Sequence, residues 1–209
     1  KEFEVIAILD YGVGNIHAFL TIFKRLNILA RKASKLEDLA NVSKLILPGV
    51  GSFDYTMQRF NNSGLRTKVE QLVLDQKIPL LGVCVGMQML GSKSDEGVLP
   101  GLNWIPGRVI SFAKNPATRS LPAPHMGWND VEFKLGSVFK NKKLGSVPRF
   151  YFLHSYYFEA KDQSHVLATT DYGLRFDAAL CKENIYGVQF HPEKSHGWGM
   201  ELLKTFAEI

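Results

Sequence analysis

Residues 79–90 of the chain read PLLGVCVGMQML, an apolar run broken by Gly82 and Gly86 with Cys84, one of only two cysteines, between them. The part before Cys84 has the length and character of a buried strand, and the part after it begins a helical pattern. A cysteine at such a junction has two readings. It is a small apolar side chain packed beside glycines, or it is a thiol held up for chemistry on a tight turn that only glycines allow. The surrounding chain bears on which of the two holds.

Upstream, VIAIL (5–9) is a short β-branched strand ending at Asp10 and the turn DYGVGN. Apolar residues at Ile16, Phe19, Leu20, Phe23 and Leu26 then keep helical spacing. LILPGVG (45–51) predicts a strand stopped by Pro-Gly-x-Gly, and a second helix spanning roughly 64–76 leads into PLLGV. Continuous apolar strands separated by amphipathic helices predict a doubly wound α/β fold: a mostly parallel sheet with helices on both faces. Downstream, WIPGRVISF, WNDVEF, RFYFLHSYYF, HVLATT, RFDAALC and YGVQF are short alternating or aromatic strands, which predict antiparallel or mixed additions to that sheet. GMELLKTFAEI closes the chain as a helix, and AKNPATRSLPAP (113–124) is the one candidate flexible loop. No repeat or linker divides the 209 residues, so they are expected to form one domain.

The composition, 45% hydrophobic and 22% charged, is that of an ordinary globular protein. Two cysteines exclude a disulfide framework and suit a reducing compartment, and no apolar run approaches the roughly 20 residues that span a bilayer. These features predict a cytoplasmic protein without membrane association. The formal charge of +5 raises the question of nucleic acid, but the cations are scattered and do not alternate with aromatics along a strand-binding surface. No nucleic-acid partner is expected.

In a doubly wound sheet, ligands bind beyond the carboxyl ends of the strands, where Cys84 falls. Strand, Gly-x-Cys-x-Gly and helix in that order form the sulfur version of a nucleophile elbow, and N–H groups at a helix start favour thiolate. The pattern alone also fits a packed core cysteine. A nucleophilic thiol needs a base, and YGVQFHPEKS places His191 just past an apolar strand with Glu193 two residues on to orient it. Attack on a carbonyl also needs N–H donors for the developing oxyanion, which the amide of Val85 and the turn PGVG (48–51) offer. Other candidates fail on chemistry. DYGVGNIH carries His17 where a dinucleotide fingerprint needs its third glycine, Cys181 lies in a strand without a turn, and His154 and Ser155 point to opposite faces of theirs. Neither HExxH nor paired Cys-x-x-Cys is present, so no metal is expected.

GVCVGMQ, LPGVGSF and GVQFHPEKS together resemble the class I, triad-type glutamine amidotransferases, along essentially the whole chain. DYGVGN, MGWN and FLHSYY narrow the resemblance to the glutaminase subunits of imidazole glycerol phosphate synthase in histidine biosynthesis. The resemblance implies a flavodoxin-like fold that needs no cofactor. It also implies hydrolysis of L-glutamine, with ammonia channelled to a synthase or cyclase subunit in a heterodimer. Carried over by motif, Cys84 is the nucleophile, His191 the general base and acid, and Glu193 the residue that orients it. Gln88 helps hold substrate, and the backbone of Ser155 and Tyr156 grips its amino-acid end. Gly49, Val50 and Gly51 form the oxyanion strand, with a peptide that flips before the site becomes competent, so that activity stays low until the partner binds its own ligand. Asn15, Trp128, Tyr151 and Lys194 face the ammonia-accepting barrel.

Two alternatives stand beside this one. SKSDEGVLPGLNWIPG and His17-Ala18 depart from the histidine-pathway pattern, which leaves open a paralogue feeding ammonia to a sugar amidotransferase in surface-polysaccharide synthesis. The other alternative is a binding subunit that keeps the fold without catalysis.

Overall fold

The structure, a computed structural model, describes residues 4–209. The N-terminal half alternates strand and helix: β1 (Ile6–Leu9), α1 (Ile16–Arg25), β2 (Ala30–Ala33), β3 (Lys44–Gly49), α2 (Phe53–Asn61), α3 (Arg66–Glu70), β4 (Leu80–Cys84) and α4 (Val85–Gln88). The second half is mainly strands: β5 (Gly107–Ser111), β6 (His125–Asp130), β7 (Glu132–Phe133), β8 (Arg149–His154), β9 (Tyr156–Ala160), β10 (Val166–Asp171), β11 (Arg175–Lys182) and β12 (Ile185–Val188), closed by α5 (His196–Glu208).

One sheet joins the two halves in the order β2-β1-β3-β4-β12-β11-β10-β7, with β9 on β11 and β5 on β9. The ladders from β2 through β12 are parallel and those beyond β12 are antiparallel, as the change in sequence character predicts. The chain crosses from β1 to β2 in one direction and from β3 to β4 in the other. Right-handed crossovers therefore put α1 and α2 on opposite faces, and the carboxyl ends of β1, β3 and β4 flank the switch point. β12 returns from the far end of the chain and pairs in parallel with β4, Val188 opposite Val83. β6 and β8 form a separate two-stranded ribbon. A single apolar core runs beneath both halves, from Ile6 to Ala207.

Several expectations are refined. The helix at 64–76 is α3 followed by a π-helical turn at Gln71–Asp75. RFYFLHSYYF is not one strand: it breaks at Ser155 into β8 and β9, which belong to different sheets. The helix after Cys84 lasts only four residues, so its dipole contributes little at the sulfur. The segment 113–124 is pinned by buried Thr118, whose hydroxyl donates to the Phe112 carbonyl at 2.6 Å.

The β4–α4 turn lies almost in contact with β3. A Cβ on Gly86 would sit 2.0 Å from the Leu47 carbonyl oxygen, and one on Gly82 would sit 2.7 Å from the carbonyl oxygen of Gly86. Backbone on both sides cannot yield as a flexible side chain would. Gly86→Ala should therefore destabilise the fold by roughly 3 kcal/mol. Gly197→Ala, where an added Cβ meets nothing within 4 Å on helix α5, should stabilise it by about 0.5 kcal/mol. Urea unfolding of both variants checks this, and a Gly86→Ala midpoint equal to that of the native chain would contradict the packing described.

Candidate active site

Cys84 ends β4 with φ +56° and ψ −113°, a left-handed conformation that is strained for a residue with a side chain. Such strain persists only where the surroundings over-determine it, and here β3 and the two glycines do so. The sulfur lies 3.9 Å from the Leu153 carbonyl and 3.8 Å from Nε2 of Gln189, and the residue is buried, at 3% exposure.

β12 brings His191 to the same place. Its backbone N–H donates to the Tyr151 carbonyl at 2.8 Å, and its ring Nδ1 bonds Oε1 of Glu193 at 2.7 Å, with both side chains almost fully buried. Burial works against protonation of this ring. Hydrogen bonding to Cys84 and Glu193, and the negative charge both can carry, outweigh it and push the His191 pKa up to about 10. A buried thiol, an imidazole that readily takes a proton and a carboxylate that orients the ring can together carry out nucleophilic acyl transfer.

A cavity of about 380 Å3 opens beside them, lined by Val50, Gly51, Cys84, Val85, Gln88, Ser155, Tyr156, His191 and Lys194 among others. Gly49 sits opposite Cys84 in the β3–β4 register. The Tyr11 hydroxyl donates to the Pro48 carbonyl and the Thr56 hydroxyl to that of Val50, at 2.9 Å for Thr56. The peptide between Gly49 and Val50 therefore has pinned carbonyls on either side. Gln88 is committed inward, its Nε2 donating to the Tyr156 carbonyl and to Oε1 of Gln189, each at 3.1 Å. The Ser155 carbonyl accepts from Phe112, so any grip of Ser155 and Tyr156 on a ligand comes from their N–H and side-chain groups.

Trp128, Tyr151 and Lys194 form one cluster, which reaches the cavity through Lys194. Trp128 is 38% exposed, stacks on His196 at 5.4 Å between ring centroids and meets Tyr151 edge-on at 6.2 Å, while Nζ of Lys194 lies 6.0 Å above the Tyr151 ring. Trp128 is thus no core aromatic. Asn15 is the N-cap of α1, its Oδ1 accepting the Ala18 N–H at 3.1 Å.

Two residues of the site carry almost no signal in the sequence: Glu96, which lines the cavity, and the fully buried Gln189. Glu96 holds the Phe53 N–H at 2.9 Å, and burial, with Asp54 nearby, raises its pKa. Its only sequence signal was an Asp-Glu pair in a loop. Gln189 lies inside GVQFHPEKS, where nothing in the pattern marks it for a role. His154 is neutral: burial lowers its pKa to about 3, and that of His125 to about 4. Its Nδ1 donates to the Tyr156 carbonyl at 2.7 Å and its Nε2 meets Nδ1 of His125 at 2.9 Å. The geometry leaves no Ser155–His154 catalytic pair. Among the described residues no group of three His, Cys, Asp or Glu side chains could hold a metal ion, and no helix is long and apolar enough to cross a membrane.

Comparison with known proteins agrees with this geometry. Residues 7–209 match the glutamine amidotransferase class-I family. The chain is 53% identical over 206 residues to imidazole glycerol phosphate synthase subunit HisH of Bdellovibrio bacteriovorus, covering 98% of this chain and 100% of the relative. It is 47% identical to the HisH subunit of Leptospira interrogans over 208 residues, with the same coverage. Among solved structures, one described as a glutamine amidotransferase superposes with a TM-score of 0.72 at 20% identity, covering 98% of this chain and 99% of that one. A glutamine amidotransferase from Thermotoga maritima gives a TM-score of 0.66 at 18% identity, over 100% and 84% of the two chains, and both likenesses speak to the fold. The chain belongs to the class-I glutamine amidotransferase family and, within it, to the HisH subunits of imidazole glycerol phosphate synthase.

Proposed function

We propose that residues 1–209 act as one glutaminase unit, hydrolysing L-glutamine at Cys84 and delivering the ammonia to a cyclase partner that builds imidazole glycerol phosphate. The observation that carries this reading is the meeting of Cys84, His191 and Glu193 at one cavity. The thiolate of Cys84 attacks the side-chain amide carbon, and the tetrahedral oxyanion faces the Val85 amide and the 49–51 turn. Imidazolium at His191 gives its proton to the departing nitrogen, which leaves as ammonia while a γ-glutamyl thioester remains on Cys84. Neutral His191 then takes a proton from water, and the hydroxide expels the thiolate and frees glutamate. Glu193 holds the ring and balances its charge at each stage. The carboxylate of Glu96, half-buried in the wall, suits the substrate's ammonium.

Reorientation of the oxyanion turn would be confined to the Gly49–Val50 peptide, because the carbonyls before and after it are held by Tyr11 and Thr56. Partner control of activity through that peptide fits a turn whose Val50 is 40% exposed. Leu153 and Lys194 line the cavity, and exposed Met126 and Trp128 stand on the same β6–β8 ribbon as Leu153, which makes an apolar surface beside a cation. A partner covering it would keep ammonia out of water. Every relative quoted carries the imidazole glycerol phosphate synthase name, which favours that acceptor over a sugar amidotransferase. Cytoplasmic location follows from this biosynthetic role.

Cys84→Ala should abolish ammonia release from glutamine while leaving assembly with the cyclase intact. Ammonia assay and gel filtration of the pair check this, and appreciable residual turnover would refute the nucleophile. In the assembled enzyme, Lys194→Ala should reduce glutamine-dependent ring formation more than glutamine hydrolysis, and equal losses would remove its interface role.

The raised pKa of His191 has a thermodynamic consequence. Its folded value, about 10, lies above the roughly 6.5 of a free imidazole, so folding takes up a proton between them. The stabilisation is complete below about pH 6.5 and is lost as pH rises through about 10. Glu193→Gln removes one support of the charge. Urea unfolding between pH 6 and 10.5 should show a shallower loss of stability in Glu193→Gln than in the native chain, with kcat lowered by up to about ten-thousandfold. Parallel stability curves would contradict a charged His191.

A further inference from the structure

Gln189 lies just beyond β12 with no solvent exposure, 105 residues from Cys84 in sequence. The orientation of its amide follows from its neighbours. The Tyr156 carbonyl can only accept, so the Gln88 atom 3.1 Å from it is Nε2. That same nitrogen lies 3.1 Å from Gln189, which must therefore present its oxygen there. The NH2 group of Gln189 is left facing Sγ of Cys84 at 3.8 Å.

This orientation matters because of what else surrounds the sulfur. The Leu153 carbonyl at 3.9 Å accepts from a thiol but repels a thiolate, and a residue at 3% exposure has little water to replace it. Of the donors, His191 gives up its proton during the reaction, whereas a carboxamide does not titrate. We infer that Gln189 is a second donor to the Cys84 sulfur, stabilising the thiolate both before attack and as leaving group while its carbonyl holds Gln88 against the cavity wall. This rests on the reading of Cys84 as the nucleophile.

The test is the pH dependence of Cys84 alkylation by iodoacetamide, followed by peptide mass mapping so that Cys181 is counted separately. Two variants are compared with the native chain: Gln189→Met, which keeps the volume without the donor, and Gln189→Glu, which keeps the shape and places a carboxylate against the sulfur. At pH 7 the alkylation rate should fall about tenfold in Gln189→Met, equivalent to about 1.4 kcal/mol. It should fall further in Gln189→Glu, and both variants should approach the native rate at high pH. A purely structural role would lower the melting temperature and leave the profile where it is.

Should either variant fail to fold, the native chain supplies a second readout. The side-chain amide resonance of Gln189 should follow the thiol titration, and in Cys84→Ala it should not. Coincident alkylation profiles, or a resonance indifferent to the thiol, would overturn the assignment. The two readings fail separately. Glutamine hydrolysis by Cys84→Ala would remove the nucleophile, whereas an inactive Cys84→Ala beside an unshifted Gln189→Met profile would remove only the role of Gln189.

Discussion

The close approach of three backbones, β3, β4 and the turn into α4, is the constraint from which the site follows. With a side chain at position 86, the turn would have to lift off β3 by about an ångström or more, and one at position 82 would press on the turn from β4. The parallel ladder would lose the Gly49–Cys84 register that places the oxyanion turn beside the sulfur. The same compression holds Cys84 at φ +56°, a conformation a cysteine would leave if the surroundings allowed it. Strain and reactivity are therefore linked through packing: the glycines let the turn come close, and the closeness keeps the thiol at the cavity rather than in the core.

The neighbouring histidines show how much the partner, rather than burial, decides charge. His154 and His191 both line the cavity and both are deeply buried. For His154 burial outweighs the one favourable contact, the Tyr156 carbonyl, no carboxylate faces the ring, and its pKa falls. His191 meets a carboxylate and a thiol, and its pKa rises. The neutral His125–His154 pair ties the β6–β8 ribbon to the Tyr156 carbonyl, which also holds Gln88. The ribbon carrying Trp128 and Tyr151 is thus joined to the substrate side of the site by hydrogen bonds whose donors and acceptors do not change with pH near neutrality.

Strong local patterns made much of this readable from sequence. α1 ends within a residue of its apolar spacing, and the buried strands β1, β3 and β4 stand out as continuous apolar runs, whereas the parallel pairing of β12 with β4 does not show in YGVQF. β2 was silent because ARKA, at the sheet edge and half-exposed, has no apolar pattern; pairing with β1 makes it a strand. The break at Ser155 was equally silent, since aromatic residues on both sides satisfy strand propensity and only the two sheets, fixed by tertiary contacts, decide where the chain turns. Cys84, His191 and Glu193 were legible because each sits at a strand end with turn residues around it. Glu96 and Gln189 were not. The importance of Glu96 depends on a loop folded against α2 through Asp54, and that of Gln189 on two amides meeting from distant parts of the chain.

The insertion of β12 between β4 and β11 has a consequence for how the site is made. Cys84 belongs to a half built from short-range strand–helix–strand crossovers, whereas Gln189 and His191 arrive only when a strand from the end of the chain closes the sheet. Closure over such a separation comes at an entropic cost that local pairing avoids, so the parallel half can organise before the site does. A thiol on the unclosed half would lack its base and both its donors. The chain thus makes its cysteine reactive only when β12 is in place, and the second half also meets the sulfur directly, through the Leu153 carbonyl of β8.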